Sequence, residues 1–254
     1  MSNTVGILST VRRSDRALAE QVSTWESLEF GVAHSSVSFP TVLGANQLRD
    51  AWLVEVDAAT AYERAETYYR ERNLTCLAWT PAVDQAMEPI EALLMPKGWR
   101  RVDSLAMHMT DWSALDAPSD QAIRVLPARA MPKALRRSLT ESGASEEETN
   151  AAFERLNDSN YDAFVAMSGD QPVGRAAYLE VGDIGRLAEL FVAPARRGQG
   201  IGRGLLFHVM QLVRRLGPRA FVASVPTGDD PGASFLQRTG FSQAGTLTQF
   251  VRPT

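Results

Sequence analysis

The chain has 254 residues, enough for one large domain or two ordinary ones. Its 44% hydrophobic and 22% charged residues fit a globular protein, and its net charge of −4 argues against general nucleic-acid binding. A single cysteine, Cys76, excludes an internal disulfide, and no stretch reads as a leader or a membrane span, so a cytoplasmic protein with no nucleic-acid or membrane partner is expected.

Residues Ser14 to Phe30 read as a helix that Ser14 or Asp15 can cap. The stretch onward to Leu43 and Gly44 is turn-like, and His34, among serines and without a ligand or carboxylate partner, reads as loop surface. Asp50 to Val56 reads as a strand. Ala59 to Arg72 carries Ala61, Ala65, Tyr68 and Tyr69 on one side, as a half-buried helix does. Leu74 to Trp79 reads as a buried strand, with Cys76 as a small core residue rather than a nucleophile. A short helix from Pro89 to Leu94 is closed by Gly98. Trp99 to Met109 then forms a strand, with His108 facing away from Met107 and Met109. The small, acidic, proline-containing run 113–120 reads as a linker, dividing a first unit, 1–112, from a second, 121–254.

The second unit opens with a strand at Ile123 to Leu126 and helices at Pro132 to Ser142 and Ser145 to Asp158. Ser145 and Glu148 have capping-box spacing, so Glu146 to Glu148 suit a helix start rather than a metal site. Tyr161 to Met167 and Val173 to Val181 form a hairpin, and a third strand ends with Leu187, Leu190, Phe191 and Val192 before Pro194. Gly198, Gly200, Gly202 and Gly204 follow, flanked by Arg196, Arg197 and Arg203. The next helix carries Leu205, Leu206, Val209, Leu212, Val213 and Leu216 on one stripe, with His208 at its edge, and stops at Gly217-Pro218. A strand at Ala220 to Val225, a short helix at Pro231 to Thr239 and a last strand at Thr246 to Val251 complete the chain.

The glycine turn carries the chemistry. Alternating glycines bring backbone close to a ligand, helix-start N–H groups favour an anion, and arginines bind phosphate oxygens. A diphosphate cradle follows. It is not a Walker loop, which needs Lys then Ser or Thr after the last glycine. It is not a Rossmann turn, because Arg203 or Leu205 stands where the third glycine belongs. Arg197, Gly200 and Gly202 do fit R-x-x-G-x-G between a strand ending in L-F-V-A-P and an amphipathic helix.

This arrangement resembles the acyl-CoA-binding motif of the GNAT superfamily of N-acyltransferases. The resemblance implies an α+β fold with a mixed, mostly antiparallel sheet flanked by helices. It also implies that the strands of Glu189 and Val222 splay apart and admit a pantetheine arm. Acetyl-CoA would be the acyl donor, held by Leu190, Phe191, Val192, Arg197, Gly198, Gln199, Gly200, Ile201, Gly202 and Arg203. Backbone N–H groups near Phe191 or Val192 would polarise the thioester oxygen. The acceptor would be the amine of a small molecule, and Glu189 the catalytic base. Two alternatives stand beside Glu189: a carboxylate merely paired with an arginine such as Arg186, or Glu180 as the base. The family's usual acid, a tyrosine five residues before the Gly-Phe phenylalanine, is replaced by Leu236, and Asp229 stands near the place of a common asparagine. Water, Tyr178 or Ser234 would then protonate the thiolate, or the protein is a non-catalytic acyl-CoA-binding or interaction module.

Gly98-Trp99, Leu105 and Met109 recur as Gly240-Phe241, Leu247 and Val251 at a constant offset of 142. Residues 1–112 therefore resemble a partial, degenerate GNAT unit without R-x-x-G-x-G and without CoA. Two units in tandem imply a monomer with pseudo-dimeric halves, or a homodimer.

Overall fold

The structure, a computed structural model, describes residues 2–115 and 123–253. Most of the expected linker, 116–120, lies outside the described residues. The fold is mixed α+β, with mostly antiparallel sheet flanked by helices.

The chain divides into two units, and neither is continuous in sequence. The first comprises Met1–Leu105, Pro226–Gly228 and Gly245–Thr254; the second comprises Ala106–Val225 and Asp229–Ala244. In chain order the first unit contains α1 (Ser2–Glu20), β1 (Thr24–Leu28), β2 (Gly31–Ser35), β3 (Gln47–Ala51), α2 (Ala58–Glu71), β4 (Ala78–Pro81), α3 (Glu88–Leu94) and the start of β5 (Arg100–Met109). The last strand of the chain, β11 (Phe241–Val251), ends in this unit and pairs antiparallel with β4, Phe250 opposite Trp79. Phe250 is fully buried there among Trp79, Tyr69, Leu48 and Ile90. A strand distant in sequence thus completes the first core, which is why the unit takes in the chain's end.

Three expectations for the first unit are corrected. The first helix runs from Ser2 to Glu20, and residues 24–35 form the β1–β2 hairpin instead of extending it. Thr24–Glu26 are exposed, so pairing with β2, not an apolar period, makes them a strand. The strand expected at Asp50–Val56 is β3 at Gln47–Ala51, because Asp50 turns to φ 51° and the register with β4 shifts between Leu48 and Ala51. His34 is not loop surface: it is fully buried in β2, and its Nδ1 lies 3.1 Å from Ser23 Oγ. Burial and the neighbouring Arg49 push it down to about 3, so it stays neutral.

The second unit contains β6 (Arg124–Pro127), α4 (Pro132–Glu141), α5 (Glu146–Arg155), β7 (Tyr161–Ser168), β8 (Gln171–Val181), β9 (Ile184–Val192), α6 (Ile201–Leu216), β10 (Ala220–Pro226) and α7 (Asp230–Arg238). Its strands follow the order β5-β10-β9-β8-β7-β6. The pairs from β6 to β9 are antiparallel, and β9 with β10 is parallel. Successive residues of a strand face opposite ways. A Cβ on Gly174 would meet Ile201 and Leu205 of α6, whereas Arg175 hydrogen-bonds Ser138 of α4. Helix α6 therefore covers one face of the sheet and α4 the other. Leu205, Leu206, Val209 and Val213 of α6 are fully buried, each worth about 1.5–3 kcal/mol. Leu216, at the end of the stripe, is exposed.

Ser145 and Glu148 form the expected capping box at the start of α5. Ser145→Ala is expected to lower stability by about 1 kcal/mol, read as a lower denaturant midpoint at unchanged slope.

Candidate active site

A bulge shapes the site. Along the β8–β9 ladder, Ala177 pairs with Glu189 and Tyr178 with Leu187, so Ala188 is an extra residue in β9. Such an insertion bends a strand and increases its twist. The ladder with β10 runs only through Ala220–Ile184, Phe221–Gly185 and Val222–Arg186. Both strands continue, β9 to Val192 and β10 to Pro226, but their pairing stops just before the bulge. The β10-facing edge of Leu187–Val192 is therefore not paired with β10.

The glycine turn lies at the end of β9. Pro194–Arg196 make one 3-10 turn, and the chain then passes Arg197, Gly198 and Gln199 to α6. Gly198 and Gly200 hold φ of 77° and 78°, where a side chain is strained, and a Cβ on either would meet nothing within 4 Å. The turn is an open cradle. Gly200 is the N-cap of α6, and no side chain caps the helix, leaving its first amides for a ligand. Arg197 Nε donates to Val192 O at 3.3 Å, and Gln199 Nε2 to Ala195 O at 3.3 Å, tying the turn to the strand it leaves. Gly202 and Gly204 lie inside α6 rather than in the turn. Gly202 faces Phe235 of α7 and Val192, each 3.6 Å from where a Cβ would stand; at Gly204 a Cβ would come within 2.8 Å of Ile123. The donor set and the open cradle suit a diphosphate.

Glu189 is half-buried on the α4 face. Its Oε1 accepts from Arg175 Nε at 2.7 Å, with Arg175 Nη2 at 2.5 Å. The arginine partner is therefore Arg175 of β8, not Arg186, which donates to Ser224 Oγ of β10 at 3.3 Å. Arg175 is buried and donates also to Ser138 O at 2.8 Å and Ser142 Oγ at 2.9 Å. Its guanidinium lies over the Phe191 ring, 4.4 Å from the centroid. Arg175 thus fastens the end of α4 to the strand of Glu189. An arginine inside the apolar strand Val173–Leu179 is the sequence signal for it, because a buried charge needs a partner.

The other candidates separate. Glu180 pairs with Gly185, at the opposite end of the β8–β9 ladder from Val192. Tyr178 is buried, and its hydroxyl lies near Gly185 and Pro218, also away from the turn. Burial, with Glu180 and Asp162 nearby, pushes Tyr178 up to about 12, so it holds its proton. Leu236 is buried on α7. Asp229 caps that helix, its Oδ1 accepting from Gly232 N at 3.1 Å. Ser234, on the same helix, is half-buried. His208 packs edge-on against Phe164, with centroids 4.6 Å apart.

Residues 129–241 match the sequence model described as the acetyltransferase (GNAT) family. No curated protein sequence matches the chain. Among solved structures, the chain is similar to a GCN5-related N-acetyltransferase from Kribbella flavida, with TM-score 0.66, 14% identity, and 96% of this chain and 95% of that one covered. A functionally unknown conserved protein from Staphylococcus epidermidis ATCC 12228 gives TM-score 0.68 at 12% identity, covering 91% of this chain and 94% of that one. A tandem GNAT protein from the clavulanic acid biosynthesis pathway gives 0.57 at 16%, covering 76% and 69%. At these identities the structural likenesses show a shared fold.

Proposed function

We propose that this protein is a cytoplasmic N-acetyltransferase acting on the amine of a small molecule with acetyl-CoA as donor, a reading supported by the match of residues 129–241 to the model of the acetyltransferase (GNAT) family. The observation that carries the reading is the end of the β9–β10 ladder at Val222, with the uncapped start of α6 at the end of the same strand. An unpaired edge that takes an extended arm and a cradle that takes its diphosphate belong to one strand.

In this reading the amides of Gly198, Gln199, Gly200, Ile201, Gly202 and Arg203, with Arg197, hold the diphosphate. Leu190, Phe191 and Val192 line the arm. Acetyl-CoA supplies an activated acyl group; the protein supplies position, an anion-stabilising edge and a base. Positioning alone contributes up to roughly 7–11 kcal/mol. Backbone N–H groups of β9 near Phe191 stabilise the charge that develops on the thioester oxygen. The amine nitrogen bonds to the carbonyl carbon, the carbon–sulfur bond breaks, and Glu189 takes the amine's proton directly or through water. Arg175 holds Oε1 of Glu189, so Oε2 is the oxygen that serves the amine. Leu236 has no proton to give, and Tyr178 lies away from the turn. A thiol with a pKa of about 8.5 leaves adequately as thiolate, with water as the final proton donor. The first unit, which lacks R-x-x-G-x-G, is a degenerate GNAT-like unit in this reading and binds no CoA.

Glu189→Gln keeps an acceptor for Arg175 but removes the base. Turnover is expected to fall by about a hundredfold or more, with the acetyl-CoA Kd unchanged. Turnover equal to wild type would remove Glu189 from the mechanism.

A further inference from the structure

Between the end of α4 and the chain leaving β9, the second unit has a cleft of about 560 Å³. Its walls are the last turns of α4 (Arg137, Thr140, Glu141), the β7–β8 hairpin end (Gln171 to Val173) and the chain leaving β9 (Ala193, Ala195, Arg196). Arg137 and Arg196 are exposed, and among the described residues neither guanidinium has a hydrogen-bond or ion-pair partner. Arg137 and Glu141 stand four residues apart on one helix, a spacing that allows an ion pair, yet none forms. Elsewhere in this unit Arg175 pairs with Glu189 and Arg129 with Asp162. Two guanidiniums without a partner, against the single carboxylate of Glu141, leave the cleft net positive and able to receive an oxyanion.

The cleft adjoins the reacting strand. Ala193 N donates to Val173 O at 3.1 Å, continuing the line in which Arg175 stands opposite Phe191. Val173 is two residues from Arg175, and Ala193 is four residues from Glu189, about 13 Å along a strand. Resting on the acetyltransferase reading, we infer that the acceptor is an elongated amine bearing a carboxylate or phosphate at the end remote from its nitrogen. Arg137 and Arg196 bind that anionic end while the amine reaches Glu189. The same charges disfavour polycationic amines.

The probes are triglycine, whose amine and carboxylate stand about 10 Å apart when extended, and its uncharged counterpart triglycinamide. Acetyl transfer to both is measured with wild type, Arg137→Ala and Arg137→Lys. Arg137 is exposed on a helix, so the fold tolerates its loss. The expected result is a KM for triglycine about tenfold below that for triglycinamide. Arg137→Ala abolishes this preference, Arg137→Lys restores part of it, and the acetyl-CoA Kd stays constant. Equal KM values in wild type, or a preference that survives Arg137→Ala, overturns the inference. A fall in acetyl-CoA affinity without a change in acceptor KM also overturns it, because the cleft then belongs to the donor. Calorimetric titration of triglycine reads the cleft without turnover. Binding that weakens in Arg137→Ala supports the cleft whether or not transfer follows, and no binding to wild type rejects it. The transferase reading is decided separately, by acetyl-CoA binding and by Glu189→Gln.

Discussion

Gly200→Glu is expected to weaken acetyl-CoA binding by a hundredfold or more, measured by calorimetric titration, while the protein remains folded. Gly200 sits at φ 78°, so any other residue there costs about 1–2 kcal/mol in backbone strain. A Cβ at this position meets nothing within 4 Å, so strain is the main cost to the fold. The cost to binding is different in kind. The new side chain occupies the space that the cradle offers a diphosphate, and its carboxylate repels that group at the amides that should bind it. Gly200→Ala separates the two effects: it carries the strain without the charge or the bulk, and should bind more weakly than wild type but far better than Gly200→Glu. Wild-type affinity in Gly200→Glu would show that the cofactor lies elsewhere.

The second large effect is on stability. Arg175→Met is expected to cost about 2–4 kcal/mol, read from denaturant unfolding. The Arg175 side chain is 6% exposed and that of Glu189 34% exposed. Breaking a fully buried pair from one side costs about 3–5 kcal/mol, and partial solvation of Glu189 reduces this. The substitution also removes the donors to Ser138 O and Ser142 Oγ and the contact over Phe191. Arg175→Met with Glu189→Gln should recover part of the loss, since no unpaired carboxylate then remains. If the single variant costs less than about 1 kcal/mol, or if the double variant is no more stable than the single, the pair does not secure the end of α4.

Much of the second unit was legible because its signals are local. The stripe of α6, the Ser145–Glu148 cap, the glycines of the turn and the β7–β8 hairpin each depend on residues within a few positions of one another. What was not legible depends on partners distant in sequence. Thr24–Glu26 are a strand because β2 pairs with them, and they carry no apolar period of their own. His34 is fully buried, although its neighbours in sequence are polar. Phe250 belongs to a core built mostly from residues 30–99. For the candidate site, the sequence points to the turn and to Glu189 but not to the side chain that pairs with Glu189. Arg186 is near in sequence; Arg175 is near across the ladder, a distinction made by strand register and the bulge at Ala188. Glycine is a turn residue, so sequence alone places Gly202 and Gly204 in the turn. At Gly204 the place inside α6 reflects close packing against Ile123, which a local reading does not contain.

The most direct test of acetyl-CoA binding at the glycine turn is a calorimetric titration of wild-type protein with acetyl-CoA, read for stoichiometry as well as affinity. One molecule is expected to bind per chain, at the turn that carries Gly200 in the second unit, and none in the first unit, which lacks the motif. Absence of binding would contradict the acetyltransferase reading, and two molecules per chain would contradict the assignment of the first unit as degenerate.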